Sequence, residues 1–135
     1  MLLAHLGILV EEHELISLLQ SFPQGIYLGD LNRLPGLFPD VQAQVVHPAD
    51  SSILLAWLRR GVPVMIYLDT SRVSYWDRPA FHGVVVIHAD PSGFLIHDPM
   101  YPTILEPGLP RAVARAELLA AWEAVGSPLV ILTRG

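Results

Sequence analysis

The sequence predicts an α+β domain, with N-terminal helices packed on a mostly antiparallel sheet. Three observations carry this. Helical periodicity is confined to the first part of the chain and to one late segment. Between them lie runs rich in Val, Ile, Leu, Tyr and Phe, the composition of a buried sheet. The turn Asp90-Pro91-Ser92-Gly93 joins two of these runs as a hairpin. Helices first and a sheet afterwards is the order of an α+β chain.

The elements follow in sequence. Met1 to Leu6 reads as the end of a helix stopped by Gly7. Val10 to Leu19 reads as a second helix, with Leu15, Ile16, Leu18 and Leu19 opposite Glu11, Glu12 and Glu14. Ser21 to Pro39 is rich in glycine and proline, so it is expected to be loop around one short helix capped by Asp30. Val41 to Val46 alternates apolar and polar residues and reads as a strand. Ser51 or Ser52 is expected to cap a helix running through Arg60, with Gly61 ending it. Strands follow at Pro63 to Asp69, His82 to Ala89 and Phe94 to His97, then a helix from Arg115 to Val125 and a strand from Pro128 to Thr133.

Composition narrows the function. A chain of 135 residues is the size of one domain. It contains no cysteine, which rules out disulfides, cysteine-based zinc sites and a cysteine nucleophile among these residues. Net charge is -5, and the basic residues, all arginine, are scattered singly apart from Arg59-Arg60. Nucleic acid needs clustered positive charge and is not an expected partner. No apolar run approaches the roughly 20 residues of a spanning helix, so membrane insertion is not expected either. The apolar start, Met1 to Val10, lacks a basic leader and a small-residue cleavage site. The expected location is cytoplasmic.

Two polar residues stand out against this apolar frame. His82 opens the first strand of the hairpin, and Asp98 follows the second. An odd loop, Pro91-Ser92-Gly93, places them on the same face because side chains alternate with period two. A one-residue slip would turn them apart. Together they would form a base and its orienter, the carboxylate fixing the imidazole tautomer. The simpler alternative leaves His82 at solvent and Asp98 capping the turn made with Pro99, and spacing alone favours it. Trp57 and Trp122, on helical faces beside leucines, read as core. Asp69 reads as a turn cap.

A longer pattern shifts that balance. The run HGVVVIHADPSGFLIHDP is preceded by LRRGVPVMIYLD and followed by RAELLAAWEAVGSPLVIL. It resembles the second half of the papain-like cysteine peptidases that process double-glycine bacteriocin leaders. The matching features are Gly61 and Pro63 leading into a strand, His82 opening a valine-rich strand, Asp98 before Pro99, Trp122 on a late helix, and the strand Pro128 to Leu132. MLLAHLGILVEEHELISLL is similar to the segment just after the nucleophile in that family. The resemblance spans nearly the whole chain. It implies a papain-like fold, His82 as base, Asp98 as orienter and no cofactor. It also places the loop Thr70 to Phe81 beside the cleft, making Tyr75 and Trp76 expected substrate contacts; the alternative is that they cover the end of the sheet.

The departure concerns the attacking group. In the resembled family the cysteine sits at the start of the first helix, where the helix end lowers thiol pKa. Leu6-Gly7 ends that helix here only six residues after Met1. The cysteine and its oxyanion-hole glutamine are therefore expected upstream of the chain, as in a domain truncated within its first helix. No serine is expected to replace it: neither Ser17 nor Ser21 lies at a helix N-terminus facing the hairpin, and Ser51, Ser52, Ser71 and Ser74 fall on loops or caps, where the common role is local backbone bonding.

Three functions compete. The first is a non-catalytic module holding an extended, leader-like peptide beside His82. The second is an active cysteine peptidase in a longer chain. The third is a metal-binding domain using His82, His88, His97 and Asp98, which spacing disfavours: His82 and His88 are about 20 Å apart along a strand, and His97 and Asp98 face opposite ways. No metal ligand is therefore assigned. The apolar N-terminal helix, lacking its first turns, is the candidate surface for a homodimer.

Overall fold

A computed structural model describes residues 41–98 and 110–134. Its elements are β1 (Val41–Val46), α1 (Ser51–Arg59), β2 (Val64–Asp69), a 3-10 turn (Thr70–Arg72), β3 (Phe81–Asp90), β4 (Gly93–His97), β5 (Arg111–Ala114), α2 (Arg115–Glu123) and β6 (Leu129–Arg134). The helices expected at Met1 to Leu6 and Val10 to Leu19, the loop Ser21 to Pro39 and the proposed dimer surface lie outside the described residues. Among the described residues, no helix is long and apolar enough to cross a membrane.

The chain divides into two compact units, Met1–Val45 with Val130–Gly135, and Val46–Leu129. In the first, β1 and β6 are neighbouring strands, and β6 is buried there from Val130 to Leu132. The second is an antiparallel sheet in the order β2-β3-β4-β5. Here α1 packs on β2 and β3, and α2 packs on β2, β4, β5 and the 3-10 turn.

Strand periodicity builds the core. The register pairs Val64 with Val86, Ile66 with Val84 and Leu68 with His82. It continues from Val86 to Ile96 and from Phe94 to Val113. The apolar members of this face, Val64, Ile66, Leu68, Val84, Val86, Phe94, Ile96 and Val113, are all buried. His82 is the polar end of an apolar row, so its orientation follows from the burial of Val84 and Val86.

Two local expectations are corrected. The cap of α1 is Asp50, not Ser51 or Ser52. Asp50 is extended, with φ -136°, and its carboxylate accepts from Ile53 N at 3.0 Å; Ser51 is already helical, and Ser52 donates its hydroxyl to Asp50 Oδ1. The helix does close at Gly61, whose φ of +75° suits a residue without Cβ.

The hairpin loop is the second correction. It contains Pro91 and Ser92 only, and Gly93 already pairs with Asp90. Asp90 Oδ1 stabilises this turn by accepting from Ser92 N, Ser92 Oγ and Gly93 N. Flat pairing from such a turn would bring Asp98 level with Val85, on the face away from His82. The register instead shifts between Val86 and His88, with Ile87 as the extra residue of a bulge. Beyond it Val85 pairs with His97, which sets Asp98 level with Val84 and on the face of His82. The odd residue expected in the loop is carried by the strand.

β5 was not anticipated. Its pattern is short, Arg111 and Val113 inward against exposed Ala112 and Ala114. Gly93 permits its close approach, since a Cβ there would run into Val113 O.

Candidate functional site

The site begins with a loop fastened at both ends. Thr70, fully buried, donates its hydroxyl to Arg78 O at 2.8 Å, and its N–H donates to Ala80 O at 3.0 Å. Val73 is buried beneath the loop, and Ser74 N donates to the Glu117 carboxylate from the first turn of α2. These anchors set Tyr75 and Trp76 over the end of the β3-β4 hairpin.

There the four singled-out side chains meet. His82 Nε2 lies 2.7 Å from Asp98 Oδ1. Tyr75 Oη donates to Asp98 Oδ2 at 2.8 Å, and Trp76 Nε1 donates to the same oxygen at 2.9 Å. The Trp76 ring packs on the imidazole, centroids 4.7 Å apart at 51°. The Arg111 guanidinium lies 4.5 Å from the Tyr75 ring centroid. The Asp98 side chain has no exposed surface and that of His82 retains 15%, so the imidazole is the accessible member of the pair. Its Nε2 faces Asp98, which leaves Nδ1 as the nitrogen able to take a proton from an incoming group.

The electrostatics suit a fixed carboxylate. Burial raises the Asp98 pKa, but the hydrogen bonds from His82, Trp76 and Tyr75, with the His82 charge, outweigh it and bring the group down to about 2. Burial, followed by the hydrogen bond and charge of Asp98, pushes the Tyr75 phenol well above its ordinary value despite Arg111. Tyr75 therefore remains a donor across the working pH range.

This difference has a stability consequence. The folded pKa of Asp98 lies below its ordinary 3.8, so its contribution is complete above about pH 4 and is lost as pH falls toward 2. The loss is about 2 kcal/mol. Asp50, Asp69 and Asp90 are also lowered, first by serine hydrogen bonds at exposed turns, so the informative comparison is with Asp98→Asn. Urea unfolding over this range should show a shallower pH dependence for the variant; an equal slope would remove Asp98 from the account.

Sequence reasoning singled out Tyr75 and Trp76 beside the cleft but missed what their polar ends do. A buried carboxylate requires donors, and Tyr and Trp are aromatic residues with a polar tip; that pairing was the available signal. Thr70, Glu117 and Arg111 were not singled out at all. Asp69 accepts from Ser71 N and Ser71 Oγ at its own turn. His97 pairs with Val85, on the other face from Asp98. Among the described residues, no three His, Cys, Asp or Glu side chains are grouped to hold a metal ion. A groove of about 610 Å³ opens at the other end of the hairpin, between Leu58, Asp90 and Arg115, and none of the four site residues lines it.

The sheet and its flanking helices have the α+β fold of papain-like peptidase domains of the C39 type. Among similar solved structures is a putative C39-like peptidase from Bacillus anthracis, at 21% identity and a TM-score of 0.63, with 82% of this chain and 60% of that one covered. The chain thus spans 60% of the length of that relative. Another is the peptidase domain of Streptococcus ComA, a bi-functional ABC transporter involved in a quorum sensing pathway, at 15% identity and a TM-score of 0.69, covering 98% of this chain and 85% of that one. No family model and no curated protein matches the chain.

Proposed function

We propose that the chain is a peptidase-type domain that receives an extended, leader-like peptide beside His82 and, containing no cysteine, does not cut it. The observation supporting this reading is the His82–Asp98 pair, 2.7 Å apart and partly open to solvent at the imidazole. The likeness to C39 peptidase domains adds the substrate class, a peptide. Calorimetric titration with a peptide ending in two glycines should give saturable binding of roughly micromolar strength and no hydrolysis. Absence of saturable binding to any leader-like peptide would overturn the reading.

A second reading is an active cysteine peptidase in a longer chain. It is favoured by the retained base geometry, which peptide binding alone does not require. With a thiol supplied, Nδ1 would take its proton, the thiolate would attack the peptide carbonyl, and the imidazolium would protonate the leaving amine before water releases the acyl group. Joining an N-terminal helix that carries glutamine and cysteine should then produce cleavage, abolished by His82→Ala. No cleavage from that extended chain argues for the binding module.

A further inference from the structure

We propose that Tyr75 and Trp76 are positioning residues that clamp Asp98 Oδ2, leaving Oδ1 to His82 and holding the imidazole as the Nε2–H tautomer with Nδ1 as its basic nitrogen. This rests on the reading of His82 as a base and replaces substrate contact as the role of their polar ends.

The geometry carries the inference. A carboxylate held at one oxygen can swing off the line of that partner by turning about its side-chain bonds, and an imidazole so released can turn over and offer either nitrogen. Here two donors converge on Oδ2, at 2.8 and 2.9 Å, while Oδ1 meets the ring at 2.7 Å. Indole N–H can only donate, so it and the Tyr75 hydroxyl fix the plane of the ionised carboxylate and keep Oδ1 aimed at the imidazole. Neither aromatic can easily swing aside. Trp76 is packed on His82, Tyr75 lies beneath Arg111, and Thr70 and Glu117 fasten the loop that bears them.

The test reads the tautomer directly. In ¹⁵N-labelled protein at alkaline pH, with His82 assigned by comparison with His82→Gln, the wild-type ring should show the Nε2–H form. Tyr75→Phe and Trp76→Phe remove a donor and keep a ring; each should move the tautomer ratio about tenfold toward Nδ1–H, the worth of one net hydrogen bond. An unchanged ratio in a folded variant, or mixed tautomers in the wild type, overturns the clamp. If Trp76→Phe does not fold, the wild-type chain still decides: the Tyr75 hydroxyl proton must exchange slowly with water, and fast exchange rejects the proposal. A chain with the Nε2–H tautomer that binds no leader-like peptide refutes only the peptide-binding reading. One that binds peptide with mixed tautomers refutes only the clamp.

Discussion

Asp98→Ala should destabilise the domain by about 3–5 kcal/mol, because it takes the acceptor from several donors at a buried site, at about 1–3 kcal/mol for each group left unsatisfied. The size follows from how many groups share this carboxylate. Its removal takes the Asp98 oxygens away from the His82 ring nitrogen, the Tyr75 hydroxyl and the Trp76 indole N–H, in a place where the Asp98 side chain has no exposed surface. His82→Ala takes away one donor and leaves Asp98 those of Tyr75 and Trp76, so its cost should be about 1–2 kcal/mol. Urea unfolding followed by circular dichroism measures both. Equal costs would mean that Tyr75 and Trp76 find water when Asp98 is absent, and that the cluster is looser than its distances indicate.

The contrast shows what was legible in the sequence. The hairpin strands, β1, α2 and β6 were readable because alternation, turn residues and helical periodicity each act locally. The cap of α1 was misplaced by one or two residues because Asp50, Ser51 and Ser52 are all good cap types, and only the extended backbone of Asp50 separates them. β5 is four residues long and merges into α2, too short for a period to register. The meeting of His82 and Asp98 was expected on parity, yet the odd residue is Ile87 and not a loop residue. A bulge has no strong local sequence mark; it is selected by burial on both sides of it, here Val84 and Val86 against Phe94 and Ile96. Tyr75 and Trp76 are separated from Asp98 by 23 and 22 residues. Such a tertiary contact leaves no periodic trace, although Tyr75 and Trp76 were already placed near the site by resemblance.

Trp122→Ala should cost about 3–5 kcal/mol, as for other large buried aromatics cut back to alanine. Trp122 is 1% exposed, and its Nε1 donates to Pro128 O at 2.7 Å, so truncation opens a cavity and strips that carbonyl of its donor. Trp122→Phe keeps most of the volume and loses the hydrogen bond, and should cost about 1–2 kcal/mol; the difference between the variants isolates packing. The effect should reach the site, because α2 also carries Glu117, whose carboxylate accepts from Ser74 N beside Tyr75 and Trp76. Amide exchange of residues 70–80 should therefore quicken in Trp122→Ala more than in Trp122→Phe. If the domain loses stability while exchange in that loop stays unchanged, α2 supports the core without supporting the loop, and Thr70 with Val73 is sufficient to hold the aromatic pair over Asp98.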